Sequence, residues 1–428
     1  MKWYEEAMFY QFYPLAFAKG PYSLSQLEQW TDHITSLCVN AVYLAPVFES
    51  EDHGYDTIDY YQVDHRLGDN NTLINLVNHY HERGIKVVLD AVFNHTGRGF
   101  FAFQDILEKR EKSRYINWYK DVNFANNNGY NDGLSYQGWE GCDNLVLLNT
   151  ENEEVVQYLV DVALFWVKTF HIDGLRFDCA YSLPKSFLHT ISQALKSYDP
   201  DIFLLGEVVH GTYKAYVGEG MLDSVTDYEL HQSLFHSHNS KNYFELAHTI
   251  ERQFNSTDSV GAKLYNFVDN HDVDRLASKI SDKRDLFLVY ALMYFLPGIP
   301  SLYYGDEWGA QGKKINGDDS ALRPYFDMNH LSIDNQPLLD HIRALSYIRK
   351  TKRQFYALAD VRCETLTNTF IKLSRNFEKE RVCLYVNMGD EAVTAPLDAN
   401  ARVRYNGDVM GNDSIRIKAH NFSWITVS

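Results

Sequence analysis

For most of its length the chain alternates short runs of β-branched and aromatic residues with amphipathic stretches of helical period. That alternation leaves few architectures open, because parallel strands buried on both faces each need a covering helix. Eight runs qualify as strands: 8–13, 41–45, 85–93, 172–177, 202–208, 224–226, 264–268 and 299–304. Helical patterns such as 24–37, 71–83, 153–170 and 184–197 lie between them. Eight strand–helix units predict an α/β fold, a closed (β/α)8 barrel rather than an open sheet. One connection is far longer than the rest: residues 96–149 follow the third strand, are rich in Asn, Gly, Tyr and Trp, and predict an inserted domain, since links of that length are usually functional. After Thr351 the texture changes to short alternating strands, such as 370–373 and 381–386, broken by Asn-Met-Gly-Asp and Tyr-Asn-Gly turns. The expected division is a catalytic barrel over 1–95 and 150–351, an insertion over 96–149, and a C-terminal all-β sandwich over 352–428.

Composition narrows the function. Forty Lys and Arg against 57 Asp and Glu leave a net charge of −17, which repels phosphate backbones and anionic lipid, so neither nucleic acid nor membrane is expected as a partner. The apolar segment 7–18 contains Gln11 and Pro14 and follows Glu5 and Glu6, which suits a strand better than a signal sequence. The apolar segment 286–304 is divided by Pro297, Gly298 and Pro300 into a helix and a strand, so no membrane span is expected. Five widely spaced cysteines with no C-x-x-C pair indicate neither a disulfide framework nor a zinc site, and place the chain in a reducing compartment, the cytoplasm.

In a barrel, chemistry is carried by residues at the C-terminal strand ends, and here those ends are acidic. The fourth strand closes on Arg176-Phe177-Asp178 and the fifth on Gly206-Glu207, the seventh is followed by His271-Asp272, and the third contains Asp90 and leaves through Asn94-His95. A single acidic residue at a strand end is most often a helix cap or a solvated charge, but four such sites around one mouth point to function. Asp178 and Glu207 project from adjacent strands, as double-displacement glycoside hydrolysis requires of its two carboxyls. Arg176 and Asp178 share a strand face, so the guanidinium is expected to hold Asp178 ionised as nucleophile, leaving Glu207 as the proton donor.

The strings DAVFNH at 90–95, GLRFDCAYS at 174–182, GEVVHG at 206–211 and FVDNHD at 267–272 resemble the four ordered signature regions of the α-amylase superfamily, glycoside hydrolase family 13. The likeness extends to EAMFYQFYPLAF at 6–17, HGYDTIDYYQVD at 53–64 and LPGIPSLYYGDE at 296–307. It implies Asp178 as nucleophile, Glu207 as acid/base, Asp272 as transition-state stabiliser and Arg176 as ion-pair partner of the nucleophile. It further implies His95 and His271 as donors to sugar hydroxyls, Tyr55 as the platform under the sugar, and Asp90 as a structural carboxylate near Arg176. Segments 100–119 and 130–141 are similar to domain B of neopullulanase and cyclomaltodextrinase relatives. Against that pattern, the first barrel strand comes almost at once, without the N-terminal β-domain through which those relatives dimerise, so a monomer is expected. The fifth region reads Leu145-Val146-Leu147-Leu148-Asn149 where they carry MPKLN.

The function implied is retaining hydrolysis of α-1,4 bonds in malto-oligosaccharides or dextrins. A transglycosylase or an α-1,6-active glucosidase of the same superfamily is the alternative, and Cys179, next to the nucleophile, leans weakly toward α-1,4. A non-catalytic barrel of the transporter heavy-chain type is disfavoured because all three carboxylates are present. Other side chains admit two readings each. Trp118, Tyr130, Tyr136 and Trp139 serve as sugar platforms or fill a small core, Tyr303 and Tyr304 favour core packing, and Arg275 binds substrate or pairs with Asp274. Asp52 grips a terminal sugar or sits in a solvated acidic loop, and His231, His236 and His238 read as a solvated helix end rather than a metal site.

No cofactor is expected. Many relatives hold a structural calcium through an Asn of the first region, a loop Asp and a His after the nucleophile. Of these only Asn94 is present, because the His position is Ser182 and the loop Asp is missing, which falls short of the roughly six to eight oxygens that calcium takes. Treatment with EDTA is therefore expected to leave both activity and melting temperature unchanged; a fall of several degrees that added calcium reverses would show a metal site built from other residues.

Overall fold

The computed structural model describes residues 2–18, 23–329, 335–352, 360–377, 379–397, 400–410 and 413–427. Eight parallel strands close a barrel: β1 (Phe9–Phe12), β2 (Ala41–Leu44), β3 (Lys86–Ala91), β4 (Gly174–Phe177), β5 (Phe203–Gly206), β6 (Ser224–Thr226), β7 (Leu264–Asn266) and β8 (Ile299–Tyr303). Each pairs with its neighbours in sequence, and β8 returns to β1. Alternation sorts the side chains. Phe9, Ala41, Tyr43, Val88, Phe203, Leu205, Tyr265 and Ile299 pack together inside the barrel, while Tyr10, Val42, Leu44, Val87, Leu89, Leu175 and Leu204 join the larger core beneath the helices. Tyr4, on a short 3-10 turn ahead of β1, packs on Phe203 at 4.8 Å between ring centroids and so belongs to the interior cluster.

The helices form where apolar spacing and caps agree. In Glu153–Phe170 the Asn152 side chain accepts the Glu154 N–H at 2.9 Å, Val155, Leu159, Val162, Ala163, Trp166 and Phe170 are buried, and His171 ends the helix in the left-handed conformation. The pattern at 24–37 differs: it begins as a 3-10 stretch, Ser23–Trp30, and becomes α only over Thr31–Ser36. Apolar spacing at i, i+3 serves either geometry, so the sequence does not separate them.

Two additions decorate the barrel. After β3 the chain builds a small antiparallel sheet from His95–Thr96, Cys142–Leu147 and Gly138–Trp139, with the helix Phe101–Lys109 beside it. Trp118 and Tyr136 are buried there, and the Trp118 indole N–H bonds Glu154 at 2.9 Å on the following barrel helix. Past the helix Gln336–Thr351, a five-stranded and a three-stranded antiparallel sheet enclose Phe370, Cys383, Tyr385, Ala395, Ile415, Ile417 and Ile425. The outer face of the larger sheet meets the barrel helix Leu286–Phe295 through Trp424, whose ring lies 5.2 Å from that of Phe295. Among the described residues no helix is long and apolar enough to cross a membrane.

Gly174, the first residue of β4, points into the barrel where the interior is fullest. A Cβ there would lie 2.6 Å from the Phe203 carbonyl oxygen and 2.9 Å from the Phe203 Cβ. Backbone cannot swing aside as a side chain does, so Gly174→Ala is expected to destabilise the protein by about 1–3 kcal/mol. A lowered midpoint in thermal or urea unfolding is the readout, and an unchanged midpoint would mean that β4 and β5 move apart freely.

Candidate active site

The C-terminal rim of the barrel opens into a cavity of about 420 Å³ lined by Tyr55, His95, Trp139, Asp178, Cys179, Tyr181, Glu207, Tyr228 and Asp272, among others. Register explains the grouping. In the β3–β4 ladder Asp90 lies opposite Arg176, and in the β4–β5 ladder Gly206 lies opposite Phe177, so Asp178 and Glu207 leave adjacent strand ends at the same height. The Asp178 N–H still bonds the Ala91 carbonyl and the Glu207 N–H the Phe177 carbonyl, which extends the barrel hydrogen bonding to these two carboxylate residues.

Arg176 is the hub. Its Nη1 donates to Asp90 Oδ1 at 2.9 Å and to Asp178 Oδ1 at 2.7 Å, and its Nη2 reaches Glu207 Oε1 at 2.8 Å. Arg176 meets Asp178 and Asp90, as expected of it, and Glu207 in addition, so the guanidinium fork spans all three carboxyls. Burial pushes the Asp178 carboxyl well above the usual carboxylate range, Arg176 draws it back, and the charges of Glu207 and Asp90 push it up again. Burial and the neighbouring carboxyls thus outweigh Arg176 at Asp178, which corrects the expectation that the guanidinium holds this carboxyl low.

A hydrogen-bonded chain runs along the opposite wall. The Gln11 amide donates to His271 Nδ1 at 2.7 Å, which leaves the imidazole proton on Nε2, beside the Tyr55 hydroxyl and 3.0 Å from Asp272 Oδ2. Tyr55 in turn donates to Asp90 Oδ2 at 3.0 Å, and its ring stacks on His271 at 5.6 Å with the planes 5° apart. Burial holds His271 well below the ordinary histidine value, so the ring is neutral. Asp272 is the most open of the three rim carboxylates, its side chain 37% exposed, and Arg323 Nη2 lies 3.4 Å from it.

Two expected residues are engaged elsewhere. His95 lines the cavity, but its Nε2–H donates to the Tyr55 carbonyl at 3.0 Å and its Nδ1 faces the Asn94 amide at 3.3 Å. Both ring nitrogens are thus occupied, and burial lowers its pKa to about 4, keeping it neutral. Arg275 neither enters the cavity nor pairs with Asp274. It is fully buried behind the rim, 3.2 Å from Asp306 and stacked over Tyr303 at 3.8 Å, because the turn after Asp272 points inward. Trp139 faces the cavity, parallel to His95, whereas Trp118 and Tyr136 are core residues and Tyr303 and Tyr304 are buried. Asp52 is exposed away from the cavity, where its carbonyl accepts from Arg66.

The histidines at 231 and 238 are corrected as well. Both are buried, bonding the carbonyls of Val268 and Leu234 at 2.6 Å, and only His236 is exposed. Among the described residues, side-chain atoms of three His, Cys, Asp or Glu residues converge at Glu49/Asp64/His65 and at Asp178/Cys179/Glu207. Asp64 is paired with Arg66, and Asp178 and Glu207 with Arg176, so the carboxylates of both groups are already neutralised by a guanidinium.

The sequence reading missed Tyr228, Gln11, Tyr43 and Arg323. Tyr228 donates to Glu207 Oε1 at 3.0 Å, and Tyr43 donates to Asp90 Oδ2 at 2.6 Å. For Tyr43 and Gln11 the signal was present, since each sits at an inward position of a barrel strand. Arg323 arrives from the loop after β8 and carries no local signal.

Residues 19–344 match the family model described as "Alpha amylase, catalytic domain". A cyclomaltodextrinase of Geobacillus thermopakistaniensis is 29% identical over 433 residues, covering 94% of this chain and 72% of that protein. An intracellular maltogenic amylase of Bacillus subtilis is 28% identical over 425 residues, covering 91% and 69%. Among solved structures, the cyclic α-maltosyl-(1→6)-maltose hydrolase of Arthrobacter globiformis, in its ligand-free form, superposes with a TM-score of 0.85 at 26% identity over the full length of both chains. The chain belongs to the α-amylase family and is a glycoside hydrolase.

Proposed function

We propose that the enzyme hydrolyses α-1,4-glucosidic bonds of short maltodextrins with retention of configuration, by double displacement. The observation that carries retention by double displacement is the spacing of Asp178 and Glu207, whose nearest carboxylate oxygens lie within 4.8 Å. Retaining glycosidases hold the pair about 5–5.5 Å apart, whereas inverting ones open it to about 6.5–9.5 Å to admit water between sugar and base.

In this mechanism Asp178 attacks the anomeric carbon while Glu207 gives its proton to the departing oxygen. The glycosidic C–O bond breaks as the ester to Asp178 forms. Water then enters, Glu207 takes its proton, and the ester is cleaved. Asp272, with Tyr55 and His271 beside it, faces the positive charge that develops on the sugar ring in each step. Tyr55 supplies the apolar face under that ring, and Asp90 and Asn94 act behind it by holding Arg176 and His95. Residues 96–149 form one wall through Trp139, which suits an oligosaccharide more than a monosaccharide. The names of the relatives, a cyclomaltodextrinase and a maltogenic amylase, support this class. We further assign the enzyme to the cytoplasm, in line with its free cysteines and with a relative named as intracellular, and take it to act as a monomer.

Asp178→Asn is expected to lower kcat by about 10⁴-fold or more without unfolding the protein, because an amide cannot form the glycosyl ester. Retention of more than a few per cent of activity would overturn the assignment. For Glu207→Gln, turnover of maltoheptaose is expected to collapse, whereas enzyme glycosylation by a maltosyl fluoride, whose leaving group departs with little protonic help, falls far less. Added azide should then restore deglycosylation, since it needs no general base. Equal losses on both substrates without azide rescue would make Glu207 structural. Product analysis on maltoheptaose, β-cyclodextrin, pullulan and isomaltose is expected to show cleavage of the first two and inertness toward isomaltose; preferential isomaltose cleavage would reverse the linkage assignment.

A further inference from the structure

Directly after Asp178 the backbone makes a turn that few side chains adopt. Cys179 has φ 47° and ψ 38°, the left-handed region, and its carbonyl is anchored by the Ser182 N–H at 2.8 Å. Non-glycine residues are held in that region when the surroundings over-determine it, and such positions concentrate at functional sites. What the turn accomplishes here is visible in its contacts. The Cys179 N–H donates to Glu207 Oε2 at 3.0 Å, and the Cys179 thiol donates to Asp178 Oδ2 at 3.2 Å.

We propose that Cys179 is a positioning residue for the reaction, its main-chain N–H fixing the acid/base Glu207 and its thiol fixing the nucleophile Asp178. The proposal rests on the roles assigned above to those two carboxyls and adds what sets them relative to each other.

The argument proceeds oxygen by oxygen. Asp178 Oδ1 is committed to Arg176 at 2.7 Å, a charge-assisted bond. Asp178 Oδ2 bonds the thiol, a weak donor that orients an oxygen while drawing little charge from it. Oδ2 is therefore the oxygen with electron density to spare, and it is the one that forms the ester as the glycosidic C–O bond breaks and the Glu207 proton moves to the leaving oxygen. The thiol proton stays on sulfur throughout. Burial, reinforced by the charges of Asp178 and Glu207, pushes the thiol far above its ordinary value, so it remains a donor across the working pH range. Glu207 is bounded in the same way. Its Oε1 accepts from Tyr228 and faces Arg176, and its Oε2 accepts from Cys179, so the turn sets the angle at which the acid meets the leaving oxygen.

The test compares Cys179→Ala, Cys179→Gly and Cys179→Ser for kcat and KM on maltoheptaose, the pH profile of kcat/KM, and melting temperature. Glycine adopts the left-handed turn without strain and keeps the N–H to Glu207, so it removes the thiol alone even if the alanine variant folds poorly. Loss of one hydrogen bond to a charged group predicts that the Ala and Gly variants lose about tenfold in kcat, with KM within about twofold of the parent. Their acid limb should also move to higher pH, because the thiol stabilises ionised Asp178 against burial and against the negative charges of Glu207 and Asp90, with Arg176 the opposing cation and Tyr55, Tyr181 and Asp272 on the surrounding walls. Serine supplies a hydroxyl donor and should recover most of the loss in kcat and return the acid limb toward the parent position. Parent-like kcat and pH profile in the Ala and Gly variants would overturn the proposal, as would equal losses in all three. Asp178→Asn, run alongside, separates the two levels: activity in that variant removes the nucleophile assignment, whereas an inactive Asn variant beside a parent-like Gly variant removes only the role of Cys179.

Discussion

One guanidinium sets the geometry of the active site. Arg176 is buried inside the barrel mouth with Asp90, Asp178 and Glu207 around it, and none of these groups would be tolerated there alone. An unpaired buried charge costs several kcal/mol, so the site is stable only as a set, and removing one member leaves the others uncompensated. The barrel makes that set affordable by register. Asp90 and Arg176 are paired residues of adjacent parallel strands, Tyr43 on β2 donates to Asp90 Oδ2 beside Arg176, and Asp178 and Glu207 follow one residue beyond the ladders. The carboxyls are thereby fixed by backbone hydrogen bonds rather than by loop conformation, which is what holding two reacting groups to within fractions of an ångström requires.

Much of this was legible in the sequence because the period of a strand determines which way a side chain points. Once 174–177 is read as a strand, Arg176 must face the same side as Asp178, and the eight strand segments were recoverable from apolar runs alone. The legible part ends where orientation is set by turns. Arg275 follows Asp272 by three residues and was read as a substrate contact or a surface pair, yet the turn buries it against Asp306 and Tyr303. His231 and His238 lie on one helix with His236, and only packing decides that the first two face inward. The sharing of Arg176 by three carboxyls was also hidden. Sequence shows which residues share a strand face, but not how many partners a five-donor fork can meet when the neighbouring strands bring theirs.

The neutral histidines illustrate a second constraint. His95 lines the same cavity as Asp178, Glu207 and Asp272, and His271 lies beside Asp272, where negative charge favours a protonated imidazole, yet both are held neutral, with burial the leading cause. Their partners make the neutral form the useful one. Gln11 donates to Nδ1 of His271, and the Asn94 amide faces Nδ1 of His95, so in each ring Nε2 carries the single proton and points into the wall of the cavity. A fixed tautomer supplies a directed donor without adding a cation that would compete with Arg176 for Asp178 and Glu207.

Exposure separates the three rim carboxylates in a way that suits the two tasks the proposed mechanism gives them. Asp178 and Glu207 are buried and held by donors on both oxygens, as groups that must meet a bond at a set distance have to be. Asp272 is partly open to water and is approached by Arg323 only at 3.4 Å, so before substrate arrives its charge is screened and costs the fold little. In the proposed mechanism a sugar seated on Tyr55 would cover Asp272 and remove that screening at the point where the ring gains positive charge. The interaction is then stronger in the transition state than in the ground state, which is the condition for it to raise kcat rather than merely tighten binding.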